Sequence, residues 1–285
     1  MKAILSSTYD DKYLWNLPLV TWCWNKLGID VICFLPEPNN YERLIGFNLV
    51  MNTMIKNNIY PKDGFYHFKA TEHKEATYAQ CSRLYAACLD LPEDEILITS
   101  DVDMIPFVNL KKNIDLCINE RNGMMTIFGV DLVPKGQFPI CYVWGNVENW
   151  RKSYKYTYGK GYYDDYKVKS YQEYLDDLLG GIEADHFRGN YWCKDQEEVQ
   201  SLLRYTPKFE IPRSNGQNQF AKFRYDRDDA YLLDRLSLDT IDFHLPRPGY
   251  EEKNFNIIMQ VLKFHFPNEN FQWLIDYNEQ YKKLL

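Results

Sequence analysis

Glu95-Ile96-Leu97-Ile98-Thr99-Ser100-Asp101-Val102-Asp103-Met104-Ile105-Pro106 is the stretch on which the reading of the fold turns. A run of branched apolar residues ends in two carboxylates at i and i+2, and a proline follows three positions later. Such a run suits a strand buried on both faces, as the strands of a parallel sheet are. Pro106 has no N–H to give to a sheet ladder, so the strand is expected to stop near the acidic pair. Ligands of open α/β sheets bind at the carboxyl ends of the strands. One polar residue there commonly caps a turn, whereas two close carboxylates repel each other. A divalent cation would remove that repulsion and could hold a diphosphate at the same time.

Outward from this stretch, the first hundred residues alternate strand and helix patterns. Residues 2–7, 29–35 and 65–69 read as strands. Residues 11–27, 41–58 and 71–91 read as helices, with Pro18 marking a late start or a kink in the first. Alternation of this kind argues for βαβ units and a mostly parallel sheet. After Pro106 the pattern shortens. Strands are expected at 124–128 and 140–144 around a turn at 133–137, with helices at 148–158, 170–179 and 195–204. The Gly-, Tyr- and Lys-rich stretch 159–169 and the aperiodic polar stretch 206–230 read as loops of the kind that bind ligands. A last strand at 238–243 precedes a Pro/Gly-rich loop, and amphipathic helices from about 251 and about 268 end the chain.

Composition narrows the function classes. With 285 residues the chain can bury a sizeable core, and 45% hydrophobic with 26% charged residues is ordinary for a globular protein. The formal charge of −7 argues against a nucleic-acid partner, which needs a basic stripe. Aromatic residues reach 16%, suiting a core and also sites that stack on sugars or bases. The seven cysteines form no CxxC pair and several fall in apolar segments, as buried reduced thiols would. There is no secretory leader and no run of about 18 apolar residues, so a cytoplasmic protein without a transmembrane segment is expected.

Four constellations carry chemistry. Gln80, Arg83, Leu84 and Ala87 fall on one face of the helix before the acidic strand, and a guanidinium there suits a diphosphate. Ile241-Asp242-Phe243-His244-Leu245-Pro246-Arg247-Pro248-Gly249 ends a strand in an imidazole, a usual transition-metal ligand, and adds an arginine on a stiff loop. Asp195 starts a helix beside Trp192, where it either caps the helix or accepts a proton from an acceptor hydroxyl. Ser6-Ser7-Thr8-Tyr9-Asp10-Asp11 leaves the first strand as a polar loop that can meet a base or ribose. His67, His73, His186 and His265 lack such settings and are read as structural.

Together, Asp101/Asp103 at the end of a buried strand, Asp195-Gln196 at a helix start and His244 late in the chain resemble the GT-A type nucleotide-sugar glycosyltransferases, over about residues 1–250. The resemblance implies an α/β fold: one Rossmann-like domain over 1–285, with a mostly parallel mixed sheet flanked by helices and an elaborated C-terminal half. Within it, 1–106 would be the nucleotide-binding half, 107–250 the acceptor side and 251–285 the C-terminal helices. It implies Mn²⁺ or Mg²⁺ held by Asp101, Asp103 and His244, with Asp101 able to contact the ribose instead. Arg83 and Arg247 would neutralise the diphosphate, and Thr8 and Tyr9 would line the nucleotide pocket. Asp195 would face the reacting centre. The donor would be a nucleoside-diphosphate sugar, UDP first, and the acceptor a glycan or glycoconjugate hydroxyl. Asp195 as base implies inversion, which is slightly favoured; Gln196 suits retention. Two alternatives are a haloacid-dehalogenase-like phosphohydrolase, which also places Asp-x-Asp after a strand, and a non-catalytic nucleotide-sugar-binding protein.

Overall fold

The computed structural model describes residues 1–38, 41–59, 61, 64–71, 74–121, 125–127, 140–159, 166–181, 193–204, 209–210, 224–227 and 233–285. The expected turn at 133–137, His73, His186 and Trp192, with most of the loops 159–169 and 206–230, lie outside them.

Strand β1 (Lys2–Ser6) lies between β2 (Asp30–Pro36) and β4 (Ile96–Thr99), parallel to both, and β3 (Phe65–Phe68) adds to β2, also parallel. β7 (Val143–Asn146) runs antiparallel to β4 and to β6 (Met125–Ile127), and β8 (Phe209–Glu210) runs parallel to β6. Among the described residues this makes a seven-stranded mixed sheet in the order β3-β2-β1-β4-β7-β6-β8. Side chains alternate across the strands and divide the core in two. Ala3, Leu5, Val31, Cys33, Leu35 and Ile98 face one cluster, and Ile4, Ile32, Phe34 and Leu97 face the other. Burial on both faces is why these strands read as continuous apolar runs.

The first cluster is covered by α2 (Asn16–Lys26), α3 (Tyr41–Lys56) and α5 (Val108–Arg121), together with α9 (Glu252–His265) and α10 (Gln272–Lys282). The second is covered by α4 (Glu75–Ser82), α6 (Val147–Tyr158), α7 (Tyr171–Leu179) and α8 (Lys194–Arg204). The expected helix over 11–27 is broken at Trp15 into α1 (Asp11–Leu14) and α2. Pro18 then sits in the first turn of α2, where its missing N–H would have had no helical partner. The helix expected over 71–91 starts at Glu75 and tightens to 3₁₀ form over Arg83–Cys88, as helix ends often do. No described helix is long and apolar enough to cross a membrane.

The strands around the acidic pair differ from expectation in an informative way. β4 ends at Thr99, and the chain turns over Asp101–Asp103, closed by Met104 N donating to Asp101 O at 3.2 Å. Met104–Pro106 is then itself a strand, β5, at the edge of a second sheet ordered β5-β10-β9, with β9 at Arg224–Tyr225 and β10 at Asp242–His244. An edge strand tolerates Pro106, and the turn rather than the proline ends β4. The strand expected at 238–243 is shortened to β10 because Ser237–Thr240 turns back on itself, with Thr240 N bonded to Ser237 O at 3.0 Å. That expected at 140–144 is shifted to Val143–Asn146.

The loop after β10 seats on the first core cluster at Gly249. A Cβ there would lie 2.7 Å from Cε3 of Trp15, which is fully buried and cannot swing away. Gly249→Ala is expected to destabilise the protein by about 1–3 kcal/mol, the usual cost of overpacking. Urea unfolding measures it, and an unchanged midpoint would show that the loop does not rest on Trp15.

Candidate active site

The carboxyl ends of β1 and β4 open into a pocket of about 300 Å³. The sequence reading and the structure agree on most of its walls. Thr8, Arg83, Asp101, Asp103, Asp195, His244 and Arg247 all line it. Tyr9 does not. Its ring packs edge-on against Phe47 at 5.7 Å and its hydroxyl donates to Pro36 O at 3.0 Å, so it is a core residue. One turn on, Tyr13 of α1 lines the pocket instead.

α4 contributes Ala76, Ala79 and Gln80, and the 3₁₀ turn that continues it contributes Arg83, a stripe at i, i+3, i+4 and i+7. Leu84 and Ala87, expected on the same face, turn into the second core cluster as the helix tightens. Arg83 is 5% exposed and joins two carboxylates: Nη1 donates to Asp101 Oδ1, and Nη2 to Asp195 Oδ2 at 3.3 Å. Burial disfavours the Arg83 charge, but Asp101 and Asp195 overcome it and hold its pKa above the usual value. Burial likewise pushes Asp101 up, and the Arg83 charge and hydrogen bond outweigh it, leaving Asp101 below the usual carboxylate range.

Asp195 lies in the first turn of α8, 4% exposed, and takes a hydrogen bond from Gln196 N at 2.8 Å. Burial pushes its pKa up to about 6, with Asp101 adding to the rise and Arg83 opposing it. α8 is fixed from behind by Glu198, buried and bonded by the hydroxyls of Tyr85 at 3.1 Å and Tyr158. Gln196 also lines the pocket, and its buried carboxamide oxygen has no hydrogen-bond partner among the described residues.

The second sheet builds the opposite wall. β10 runs antiparallel to β5 with His244 opposite Met104, and Leu245 N donates to Asp103 O at 2.8 Å. His244 Nε2 therefore lies 3.3 Å from Asp103 Oδ2. Arg227 Nη2 lies 3.4 Å and Arg247 Nε 3.5 Å from the same oxygen, so three basic groups surround one carboxylate. Arg227 also contacts His244 Nδ1 at 3.2 Å, and Arg247 stacks on the Tyr13 ring at 5.0 Å and bonds its hydroxyl. Beside them, Arg224 grips buried Asp242 through Nε and Nη2 at 3.1 and 2.9 Å, tying β9 to β10.

Asp103 and His244 offer adjacent oxygen and nitrogen donors, a set that suits Mn²⁺ or Mg²⁺. Asp101 is turned to Arg83, and among the described residues no group of three His, Cys, Asp or Glu side chains could hold a metal. The protein thus presents two converging donors rather than the expected three. Two fit a cation that completes its shell with water and phosphate oxygens. Tyr13 and Arg227 were missed in the sequence. Tyr13 has no local signal, while Arg227 stands in the Arg-Tyr-Asp-Arg run of a stretch read only as a loop. Of the other histidines, His265 stacks on Phe107 at 3.6 Å and burial drops its pKa to about 4, and His67 Nδ1 lies 3.3 Å from Pro36 O.

A raised carboxylate pKa has a stability consequence. The contribution of Asp195 is complete below the ordinary 3.8 and is lost as pH rises through about 6, a difference of about 3 kcal/mol. Asp101, lowered, acts with the opposite sign and only below the ordinary carboxylate range. Asp195→Asn is expected to flatten the stability profile between pH 4 and 6, followed by chemical denaturation at each pH. A variant that keeps the wild-type slope would contradict this assignment.

No protein-family model and no curated protein sequence matches the chain. Among solved structures it is similar to WbbM, a bifunctional glycosyltransferase in its apo form, with a TM-score of 0.52 and 9% identity. That likeness covers 98% of this chain and 51% of WbbM, so the chain spans about half of that protein. LgtC, a galactosyltransferase solved with donor and acceptor sugar analogues, gives a TM-score of 0.48 at 10% identity over 100% of this chain and 95% of its own. GlyE of Streptococcus pneumoniae TIGR4, also a glycosyltransferase, gives 0.45 at 12% over 99% and 63%. At 9% identity the likeness to WbbM is one of fold alone. The chain has the α/β fold of a GT-A domain, a mixed central sheet flanked by helices.

Proposed function

We propose that the chain is a metal-dependent glycosyltransferase, moving a sugar from a nucleoside-diphosphate donor, UDP first, to a hydroxyl of a glycan or glycoconjugate. The observation that supports this best is the convergence of Asp103, His244, Arg227 and Arg247 on one point of a pocket at the strand ends. In this reading 1–106 supplies the nucleotide half, with Thr8 and Tyr13 along its wall, and 107–250 the acceptor side of one domain. Asp103 and His244 hold Mn²⁺ or Mg²⁺, with Asp101 beside them for the ribose or the cation. The cation, when bound, supplies Lewis-acid stabilisation of the departing diphosphate. Arg227 and Arg247 supply positive charge where negative charge grows, in a site that keeps them oriented through Tyr13 and His244. Arg83 restrains Asp101 and Asp195 and can share its charge with a phosphate.

Asp195, with a pKa of about 6, is the candidate base for the acceptor hydroxyl, which gives inversion. A specific observation favours a second reading. The unpartnered Gln196 oxygen is suited to face the positive charge that develops on the donor sugar, which gives retention. The phosphohydrolase alternative needs a carboxylate free to attack, and the Arg83 contact to Asp101 weighs against it.

Incubation with Mn²⁺ and a panel of nucleotide sugars, followed by nucleoside diphosphate release, tests the reading. Asp103→Asn and His244→Ala are each expected to cut Mn²⁺-dependent donor binding by about tenfold or more, the loss of one ligand. Binding without turnover of any donor would leave a non-catalytic binding protein, and a wild-type Mn²⁺ response in either variant would remove that ligand.

The anomeric configuration of the product separates the two mechanisms, read by proton NMR as it forms. With Asp195 as base, kcat should fall about 10²–10⁴-fold in Asp195→Asn. The wild-type rate should then rise with pH through about 6 as the carboxyl ionises. A retained configuration with a larger loss in Gln196→Ala would assign the work to Gln196.

A further inference from the structure

A second groove, of about 420 Å³, lies between α3 and α10 and shares no residue with the first. Its size falls within the roughly 300–1,000 Å³ of small-molecule sites. Five carboxamides line its walls: Asn52 from α3 and Asn57 just after it, Gln272 and Gln280 from α10, and Asn270 just before that helix. The indole of Trp273 lines it while also packing against Trp22 at 6.2 Å. Thr53, on the α3 side, is only 8% exposed and also lines the groove. Two of these amides are held in place: Asn57 Nδ2 donates to Thr53 O and Gln272 Nε2 to Asp276 Oδ1, both at 2.8 Å. Lys56 and Asp276 give the lining one charge of each sign.

We propose that this groove binds a neutral oligosaccharide. A carboxamide carries a donor and an acceptor side by side, which matches adjacent hydroxyls on a sugar ring. An indole provides a flat apolar face for the C–H side of the same ring. Balanced charge disfavours an ionic ligand, and Leu49 and Tyr277 beside Trp273 add apolar surface for the ring faces of a sugar. The proposal extends the glycan-acceptor reading above and gives such an acceptor a second foothold. Its test reads binding rather than turnover, so the two can fail separately.

The experiment is calorimetric titration with maltotetraose, cellotetraose and chitotetraose, and with a polar unstructured peptide as comparison. At least one tetrasaccharide is expected to bind with a Kd on the order of 1 mM. Asn52→Arg and Gln280→Arg alter exposed positions on opposite walls and fill the groove without removing a core contact. Each should weaken that binding about tenfold or more. Trp273→Ala should do the same, with its fold checked by near-ultraviolet circular dichroism. Arg247→Met, in the first pocket, should leave the saccharide affinity unchanged. The proposal is overturned by no saccharide binding, by binding that survives both arginine variants, by binding lost in Arg247→Met, or by the peptide binding in place of the sugars.

Discussion

The antiparallel pairing of β5 with β10 is the constraint on which the candidate site depends. Asp103 leaves the main sheet and His244 leaves the second sheet, and nothing local in either segment requires them to meet. The ladder that sets His244 opposite Met104, extended by the bond from Leu245 N to Asp103 O, makes the two side chains neighbours at 3.3 Å. Arg224 braces the same sheet by clamping buried Asp242, a pair whose disruption would leave a carboxylate charged and dry. Arg247 follows two residues after the ladder, and its loop is held against Trp15 by the absence of a side chain at Gly249. Three basic groups thus reach Asp103 because one short strand pair has one register.

The opposite wall follows a different rule, the balance of buried charge. Arg83 carries one positive charge between Asp101 and Asp195, and the two carboxylates divide it unequally. Asp101 is held below the usual range, while Asp195 is pushed up to about 6. A single guanidinium therefore gives two chemically similar side chains different protonation behaviour near neutral pH. The tuning rests on the packing behind α8, where Glu198 is held by Tyr85 and Tyr158. Much of the tyrosine content of the chain serves this second core.

Local signals in the sequence were sufficient for the sheet and for one side of the pocket. Short continuous apolar runs marked β1, β2 and β4, and the doublet at Asp101 and Asp103 marked the strand end where open α/β sheets bind ligands. β4 ends near the acidic pair as expected, but the turn at Asp101–Asp103 ends it, and Pro106 joins an edge strand. Long-range pairing left no local trace, so the second sheet and the approach of Arg227 were not legible. Tyr9 and Tyr13 show the same limit on a smaller scale. Both leave β1 within one turn of each other, and only the direction of α1 sends Tyr13 to the pocket and Tyr9 to Phe47.

The donor count has a consequence for how the proposed site would fill. Two protein ligands hold a divalent cation weakly, because most of its shell must come from water. The diphosphate of a nucleotide sugar, in turn, meets basic groups already partly neutralised by Asp103. Each ligand supplies what the other lacks: phosphate oxygens complete the cation's shell, and the cation offsets the charge of Asp103 so that Arg227 and Arg247 can turn to phosphate. Binding energies of this kind are reciprocal, so cation affinity rises with the donor by the same factor as donor affinity rises with the cation. A third protein ligand on the metal, such as a second carboxylate, would strengthen cation binding alone and weaken that coupling. With Asp101 held on Arg83, a cation at the proposed site would depend on the donor, and Asp101 and Asp195 would be linked through the guanidinium they share.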